Sequence, residues 1–500
     1  MFAGKMNIQD LGLFFVAIIV MFLMYTYPSV LPQHPKAVHQ WRQCDGSSIT
    51  MMYVHNHLNP FHPEVHNRHG QGKTVAEFPI IYYLNACIIS VVGVQHKNFV
   101  IRSVNLLIFY FGLFYLFKLG LLLLKNRWLA IVPVIFLHSC PIVTYYAASS
   151  VPDVPAFSLV IVGIYFLVHY IQSKEAVSFG IALFAVALAG MIKSTILIPY
   201  LALCSVLAWS FITNNSKYKL SLSKLLLLGL PLAVTLIWVT MAGRYNAAHE
   251  NITFLLNIKP IWGIDRPFIN EISIRIKRSW LPEYNYVPLM WFIFGLGVYF
   301  LTYPNKSINI LKMGLGILVI GTAAYFYLFF EQFYHHDYYA IELLPMMLAF
   351  VFGGLYYFGQ ESINVKIKYV AAIAIIVLLV LNVMHTRENM IRRYTVDGQW
   401  NAYYDIYPEL TPKLRAAGIQ FTDKVLVSSD GSPNISLYLL DQLGWTRFPY
   451  GLDEEKLQIY MNEGLKYIIS REEDLVNRPF LEPYLKNEII RHKNLVVFQL

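Results

Sequence analysis

The sequence predicts a polytopic α-helical membrane protein with a small extracytoplasmic α/β domain at its C-terminus. Three observations lead to this fold class. Of the 500 residues, 56% are hydrophobic and 14% are charged, whereas a soluble protein carries about 25% charged residues. Apolar stretches recur along the chain at lengths close to the ~20 residues that a bilayer requires. Of the 30 acidic residues, 14 precede Arg387 and 16 follow it, so the tail differs in composition from the body.

The apolar stretches predict about 11 spanning helices. A shorter stretch, 78–94, contains Pro79 near its start and is predicted to be an interfacial or re-entrant helix. With the N-terminus in the cytoplasm, Lys and Arg are concentrated in the short cytoplasmic loops, as the positive-inside rule expects. Loop 29–77 and the tail then lie outside, but a spanning 78–94 would reverse this sidedness downstream. The predicted spans are 11–28, 98–118, 128–147, 155–172, 177–191, 196–212, 223–242, 287–303, 308–330, 340–358 and 369–386.

The tail is predicted to be a separate α/β domain. Short apolar runs indicate three buried strands, and amphipathic segments indicate two helices. We therefore predict a transmembrane domain over 1–386 and an extracytoplasmic domain over 387–500. The predicted strands are 425–428, 467–470 and 495–500, and the predicted helices are 435–443 and 454–464.

Composition and motifs exclude several functional classes. The net charge is +9, but the basic residues are dispersed, so no nucleic-acid partner is expected. The sequence contains no P-loop, no dinucleotide-binding glycine motif after a strand and no nucleophile elbow. We therefore sought chemistry among the few charged residues of the membrane body.

Asp45 is the first candidate catalytic residue. It lies in the outer loop, just before a predicted interfacial helix, 47–57. A carboxylate at a membrane surface can act as a general base on an acceptor hydroxyl or hold a metal ion. The alternative interpretation is that Asp45 caps the helix, and the pattern alone does not decide between the two.

Asp153 is the second candidate catalytic residue. It is the only acid between Glu77 and Glu175, and it opens a predicted span on the same side as Asp45. An N-cap followed by Pro155 is the alternative interpretation. The coincidence of two isolated acids on one predicted face favours a functional role.

Two cations, Arg102 and Lys193, lie at the edges of predicted spans. A charged residue at such a depth usually has a partner, and a lipid phosphate suits either cation. Snorkelling to the interface explains Arg102 equally well. Lys193 has few polar neighbours in the sequence, which favours a binding role there.

Histidines form two further candidate clusters. His335, His336 and Asp337 lie at the predicted outer end of a span and could bind phosphate, sugar or metal, although adjacent histidines seldom share one metal ion. The first outer loop holds five histidines at irregular spacing, without a cysteine or an acidic cluster to complete a zinc site. We therefore assign no metal ligands. The five are His55, His57, His62, His66 and His69.

Taken in order, these residues resemble the GT-C superfamily of membrane glycosyltransferases. The resemblance is nearest to a bacterial branch that includes the protein O-mannosyltransferases, the aminoarabinose transferase acting on lipid A and an RgtA/B/C/D-like group. It rests on Asp45, on Asp153, and on His336-Asp337-Tyr338-Tyr339, and it covers about residues 10–385. The run Trp41-Arg42-Gln43-Cys44-Asp45, followed by Glu77-Phe78-Pro79 and Arg102, is similar to one subgroup.

The resemblance implies transfer of a sugar from a polyprenyl-phosphate carrier to a glycan, lipid or protein acceptor. The reaction would be inverting, with Asp45 as the base and Asp153 as the second catalytic residue. It also implies that Arg42, Glu77 and Tyr338 help to bind the substrate, while Lys193, Arg102 and either His335 or His336 stabilise the departing phosphate. No cofactor is required by this arrangement, although it leaves room for a divalent metal. The expected location is the inner (plasma) membrane, among lipids, with the active site outside.

The sequence departs from the mannosyltransferases at two places. Gly46 stands where they have a second acid, and Glu77-Phe78-Pro79 stands where they have His-Pro-Pro. Their substrates are therefore not transferred to this chain. Two alternatives stay open: a transporter or flippase of lipid-linked sugars, and a non-catalytic envelope assembly protein.

Overall fold

The structure is a computed structural model, and the described residues divide into two compact units. The first unit comprises Met1–Leu31, Arg102–Val239 and Asn257–Arg392, and the second comprises Pro32–Ile101, Thr240–Leu256 and Arg393–Leu500. The described residues are 6–75, 77–215, 218, 220–251, 258–303, 309–358, 364–395, 403–449 and 451–500.

The described chain is largely helical. The α-helices are Ile8–Met24, Tyr27–Val30, Gln40–His55, Ile80–Val92, Lys97–Leu124, Arg127–His138, Pro141–Ala147, Asp153–Ser173, Ala176–Ile192, Ile198–Ile212, Leu222–Leu227, Leu230–Ala248, Arg266–Arg275, Leu281–Tyr284, Val287–Thr302, Asn309–Leu328, Gln332–His335, Leu344–Phe358, Val365–Thr395, Tyr407–Ala416, Ile435–Leu440, Glu454–Asn462 and Glu472–Leu475. Short 3₁₀ segments are His69–Gly72, Val94–His96, Ser194–Leu197, Ile261–Gly263, Asp337–Leu343 and Pro479–Tyr484, and Ile276–Trp280 is a π turn.

The prediction of several apolar spans is confirmed. Among the described residues, seven helices are long and apolar enough to cross a membrane, or nine if each of two bent helix pairs forms one span. Three shorter apolar helices add to these: Ile8–Met24, Ile80–Val92 and Ala176–Ile192. The number of 11 stays a prediction, as does the interfacial position of 78–94.

Small residues let neighbouring helices approach closely within the first unit. At Gly163, a Cβ atom would lie 2.4 Å from a methyl carbon of Val186 on the adjacent helix. Helices with small residues at the contact can bring their backbones together, which supports packing where lipid supplies no hydrophobic driving force. The helices Asp153–Ser173 and Ala176–Ile192 therefore pack closely, and this packing positions Asp153 and Lys193 at their ends.

The C-terminal part of the second unit contains a five-stranded sheet, which confirms the predicted α/β tail. The strands are β1 (Lys424–Val427), β2 (Gly444–Thr446), β3 (Leu465–Arg471), β4 (Asn487–His492) and β5 (Leu495–Gln499). Their order is β2-β1-β3-β5-β4; β1 pairs in parallel with β2 and β3, and β5 pairs antiparallel with β3 and β4. A core of buried residues, including Leu426, Ile468 and Val496, packs against one face.

Three strands and the two predicted helices of the tail lie where the sequence predicts them, whereas two strands and the helices Tyr407–Ala416 and Glu472–Leu475 were missed. Both missed strands, β2 and β4, are at the edges of the sheet. β2 is only three residues long, and β4 consists of exposed polar residues and half-buried ones, with no fully buried residue. Short and charged edge strands are common because they discourage pairing with other chains, but they give little hydrophobic signal.

The first loop also pairs with the sheet, inside the second unit. The amide of Arg68 donates to the oxygen of Gly444 at 2.7 Å, and the amide of Gly444 donates to the oxygen of His66 at 3.2 Å. Asn67 and Gly444 thus form a parallel bridge at the outer edge of β2. This pairing covers an edge that would otherwise expose unpaired backbone groups.

Candidate active site

Asp45 lies inside a helix, and its side chain is buried. The helix begins at Gln40 and ends at His55, so Asp45 is in its second turn and cannot cap it. The capping interpretation is therefore wrong. Only 2% of the residue is exposed, and a buried carboxylate requires compensating partners.

One partner of Asp45 comes from a distant part of the second unit. Nδ2 of Asn434 donates to Oδ1 of Asp45 at 2.8 Å. The orientation of this amide is fixed because Oδ1 of Asn434 accepts the backbone N–H of Asn67 at 3.1 Å. Asn434 can therefore present only its NH₂ group to the carboxylate.

Burial dominates the electrostatics of Asp45. It raises the pKa of Asp45 from its ordinary value to about 7, because the charged form loses its hydration. The positive charge of Arg42 and the hydrogen bonds from Asn434 and Trp41 lower this pKa, whereas the charge of Asp430 raises it. A carboxyl group that titrates near neutral pH can exchange a proton with a substrate.

Arg42 lies on the same helix as Asp45, and the structure brings Glu77 from the end of the first loop next to it. Arg42 forms an ion pair with Glu77, and Tyr82 donates its hydroxyl to the other oxygen of Glu77 at 3.2 Å. Residues three apart on a helix share a face, so Arg42 and Asp45 are neighbours. The predicted residues Asp45, Arg42 and Glu77 thus form one group in the second unit.

Asn434 and Asp430 were not predicted from the sequence. They belong to the segment Ser428-Ser429-Asp430-Gly431-Ser432-Pro433-Asn434, which directly follows β1. Polar residues after a buried parallel strand lie at the carboxyl edge of the sheet, where α/β folds place their ligands. That position was the available signal, but it does not reveal that Asn434 contacts a residue of the first loop.

Asp153 and Lys193 meet in the first unit. Nζ of Lys193 lies 2.8 Å from Oδ1 of Asp153 and 3.6 Å from Oε1 of Glu342. Asp153 is the first residue of its helix and makes no capping hydrogen bond, so the capping interpretation is wrong here as well. The three side chains carry a formal charge of −1, and Lys193 therefore has two protein carboxylates as partners.

Glu342 is the third member of a triad with Asp153 and Lys193, and it was not predicted from the sequence. Thr195 donates its hydroxyl to Oε1 of Glu342 at 2.8 Å, and the carboxylate is almost fully buried. Aromatic rings also enclose the cation, since Nζ of Lys193 lies 4.5 Å from the ring centre of Tyr339 and 5.7 Å from that of Tyr338. The signal was available in the sequence: an acid within the predicted span 340–358 needs a partner.

Arg102 holds the backbone of the segment just before Asp153. Its guanidinium donates to the backbone oxygen of Ala148, and Asn105, one turn away, donates to that of Ser149. Both side chains are buried. Arg102 thus contacts backbone in the first unit, and its role toward a lipid phosphate stays a prediction.

The predicted histidines of the late motif lie at different depths. His335 is exposed, whereas His336 is half-buried and stacks against Tyr339, with 5.7 Å between ring centres. Asp337 is buried and accepts the hydroxyl of Tyr146 at 2.5 Å. His336 therefore lies near Lys193 because it stacks on Tyr339, and Tyr338 lies near Lys193 directly.

A separate cluster in the second unit joins His55 and His66 to Asp441. Oδ1 of Asp441 lies 3.0 Å from Nε2 of His55 and 3.6 Å from Nε2 of His66. This donor set could hold a metal ion, but Lys97 and Arg415 also face Asp441, and their charges oppose a further cation. Burial lowers the pKa of His66 to about 4, and its Nδ1 lies 2.7 Å from Oγ of Ser48.

Comparisons with known proteins identify the fold of this chain. A family model described as dolichyl-phosphate-mannose-protein mannosyltransferase matches residues 75–238. The structure of ArnT from Cupriavidus metallidurans bound to undecaprenyl phosphate is similar with a TM-score of 0.63, at 11% identity over 98% of each chain. The chain has the GT-C fold.

Two further GT-C structures support this assignment. The Archaeoglobus fulgidus oligosaccharyltransferase matches with a TM-score of 0.59 and 11% identity, over 96% of this chain and 73% of its own. The arabinofuranosyltransferase AftD from Mycobacteria matches with a TM-score of 0.56 and 11% identity, over 97% of this chain and 39% of its own. No curated protein matches the sequence.

Proposed function

We propose that this GT-C chain is an inverting glycosyltransferase that uses a polyprenyl-phosphate sugar as donor and an extracytoplasmic glycan, lipid or protein as acceptor. The observation that carries the proposal is Asp45, a buried carboxyl group with a pKa of about 7 that is oriented by Asn434. The family model and the neighbour with undecaprenyl phosphate bound support the donor class.

In the proposed reaction, Asp45 takes the proton of the acceptor hydroxyl. The acceptor oxygen then attacks the anomeric carbon, and the bond from that carbon to the phosphate oxygen breaks. The phosphate leaves with the electron pair, and attack on the face opposite to it inverts the anomeric centre. General-base catalysis of this kind contributes about 10²–10⁴-fold, and it works best when the pKa of the base lies near the working pH.

The residues of the first unit are proposed to serve the donor. Lys193 is proposed to contact the donor phosphate, and because Asp153 and Glu342 offset its charge, the phosphate would take the place of one of these carboxylates beside the ammonium group. The aromatic rings of Tyr338 and Tyr339 limit the exposure of that group. A departing phosphate gains charge in the transition state, and a fixed cation in a dry site stabilises that charge. Arg102, His335 and His336 are proposed as additional contacts, and no metal is needed in this scheme.

The test compares Asp45→Asn with the wild-type protein in lipid nanodiscs. A panel of undecaprenyl-phosphate sugars would be offered with envelope glycan, lipid and protein fractions, and transfer of radiolabelled sugar would be measured. We expect the variant to lose at least about 100-fold in transfer rate while retaining undecaprenyl phosphate binding. The matched control is Asp265→Asn, which alters an exposed helix cap and should leave transfer unchanged.

Two outcomes would overturn parts of the proposal. Full activity in Asp45→Asn would remove Asp45 as the base. Absence of transfer by the wild-type protein, together with movement of a lipid-linked sugar across a vesicle membrane, would replace the enzyme with a flippase.

A further inference from the structure

Among the described residues, two helix pairs of the first unit are broken and sharply bent. The helix Arg127–His138 bends by 74° against Pro141–Ala147, and the stretch Arg266–Tyr284 bends by 89° against Val287–Thr302. Each break interrupts the helical ladder, so backbone groups there need other partners, and the interior of a bilayer offers no water to supply them. The residues that supply these partners therefore fix the angle of each bend.

A single asparagine binds both breaks. Nδ2 of Asn382 donates to the backbone oxygen of Ser139 and to its Oγ, each at 2.7 Å, in the first break. Oδ1 of the same amide accepts the backbone N–H of Tyr286 at 2.8 Å, in the second break. Asn382 is fully buried, and its amide satisfies these partners in only one orientation. The two bends are therefore joined at one side chain.

Further contacts reinforce this junction. Thr386, one turn after Asn382 on the same helix face, is buried and donates its hydroxyl to the backbone oxygen of Ser139 at 2.5 Å. The breaks also touch directly, because the thiol of Cys140 donates to the backbone oxygen of Tyr284. A polar residue inside a span is costly, and Asn382 and Thr386 both find their partners at the breaks.

The first broken helix leads to the Lys193 triad. Every residue from 139 to 153 is buried, so this segment is packed along its whole length. It ends at Asp153, whose Oδ1 lies 2.8 Å from Nζ of Lys193. Within the segment, Tyr146 donates its hydroxyl to Asp337 at 2.5 Å. The angle of the first bend therefore sets where Asp153 meets its cation.

The second broken helix leads to the late histidines, His335 and His336. Nε1 of Trp280, in the π turn of that helix, donates to the backbone oxygen of Phe333 at 2.6 Å. Phe333 is buried, and both histidines follow it within three residues. π turns within helices are frequent at functional sites. The angle of the second bend therefore influences where the late histidines lie.

We propose that Asn382 is a positioning residue for the donor phosphate, because it holds both broken helices and thereby Asp153 and the late histidines. The proposal rests on the glycosyltransferase function inferred above, and it adds a residue that acts through others without touching the donor. A misplacement of about 1 Å by a distant substitution can cost about 100-fold in rate. Thr386 supports the same junction through one hydrogen bond.

The test measures binding of undecaprenyl phosphate and not transfer of sugar. Radiolabelled undecaprenyl phosphate would be titrated onto the full-length protein in detergent micelles, with the protein captured on scintillation beads. The variants are Asn382→Leu, which keeps a branched side chain but removes three hydrogen bonds, and Thr386→Val, which removes one. Asn382→Gln is the conservative variant, since it keeps the amide.

Each variant has a matched control. Asn246→Leu removes a buried asparagine that likewise bonds backbone groups, the N–H and the oxygen of Val75, but in the second unit. Thr302→Val removes an exposed hydroxyl that bonds backbone oxygens of its own helix. Thermal unfolding of every variant is recorded, so that a loss of binding can be compared with a loss of stability.

We expect Asn382→Leu to lose at least about tenfold in affinity for undecaprenyl phosphate, and Thr386→Val about threefold, because it gives up one hydrogen bond. Asn382→Gln should recover part of the loss, and both controls should bind as the wild type does. Asn246→Leu should nevertheless unfold at a lower temperature, since it loses two buried hydrogen bonds.

Wild-type affinity in both Asn382→Leu and Thr386→Val would overturn the positioning proposal and leave the proposed reaction intact. An equal loss of affinity in Asn246→Leu would also overturn it, because destabilisation alone would then explain the effect. A wild-type protein that binds undecaprenyl phosphate but transfers no sugar would remove the reaction, while loss of binding in Asn382→Leu would still support the role of the junction.

Discussion

The two aspartates that the sequence singled out lie in opposite environments. Asp153 forms an ion pair with Lys193 at 2.8 Å and shares this cation with Glu342. Asp45 is equally buried, but its hydrogen bonds come from the neutral side chains of Asn434 and Trp41, and the nearby charge of Arg42 is shared with Glu77. An acid paired with a cation is suited to holding charge in place, whereas an acid deprived of hydration and hydrogen-bonded by neutral donors is suited to gaining and losing a proton.

The largest expected effect is a loss of stability when Asp153 is deprived of its cation. Lys193→Met leaves two buried carboxylates without their cation, and we expect it to lower the free energy of unfolding by about 3–5 kcal/mol. Denaturant titration in mixed micelles measures this change. Lys174→Met, an exposed lysine after the helix Asp153–Ser173, should change stability by less than about 0.5 kcal/mol. Adding Glu342→Gln to Lys193→Met should restore part of the loss; no restoration would contradict a shared cation.

The Asp45 side is tested by the dependence of stability on pH. Because the pKa of Asp45 is raised to about 7 in the folded protein, the folded state binds the extra proton, and Asp45 stabilises it as the pH falls from 7 toward 4. His66 acts in the opposite direction, since its pKa is lowered to about 4 and acidification below 6.5 favours the unfolded state. Over the full range, the contribution of Asp45 amounts to about 4 kcal/mol and that of His66 to about 3 kcal/mol.

We therefore expect Asp45→Asn to lose more stability than the wild type between pH 7.5 and 5, and His66→Gln to lose less. Thermal unfolding at a series of pH values measures both slopes. Asp265→Asn should run parallel to the wild type. Parallel curves for all three variants would mean that Asp45 titrates normally, and the contrast with Asp153 would disappear.

A smaller effect is expected at the amide that orients Asp45. Asn434→Leu removes a hydrogen bond to the charged form, so the pKa of Asp45 should rise further and the acidic limb of the pH–rate profile should move up by about one unit. The profile of sugar transfer between pH 5 and 9 measures this shift. Asn487→Leu, at an exposed position on β4, serves as the control. A lower rate with an unmoved profile would mean that Asn434 supports the fold only.

The smallest effect is expected at Arg42. Its charge lowers the pKa of Asp45 but is shared with Glu77. Arg42→Gln should therefore move the same limb upward by less than one unit and reduce transfer by less than about tenfold. A double-mutant cycle with Glu77→Gln measures how much of the effect passes through the ion pair. Additive effects would show that Arg42 acts on Asp45 directly.

Hydropathy predicted the helices and much of the tail because those signals are local. Each predicted span is largely helical where the chain is described, and β1, β3 and β5 are recognisable from their buried apolar residues. The edge strands β2 and β4 lack such a pattern. Local composition also isolated Asp45, Asp153 and Lys193, because charges are rare in a membrane body.

The partners of these residues could not be predicted in the same way. Asn434 is 389 residues from Asp45, and Asp441 is 386 residues from His55, so only the folded chain brings them together. Glu342 is different, because its position inside a predicted span already demanded a cation. Reading that acid together with Lys193 would have indicated the triad from the sequence alone.

The hydrogen bond between Asn434 and Asp45 has a consequence for how the protein is made. Ribosomes add about 5–20 residues per second, so about 20–80 s pass between the synthesis of Asp45 and that of its amide partner. During that interval the growing chain already carries the carboxylate but lacks the group that orients it. The edge of β2 that pairs with Asn67 is likewise absent until Gly444 emerges. A nascent or truncated chain would thus lack the amide that orients Asp45 until the last quarter of the protein has been made.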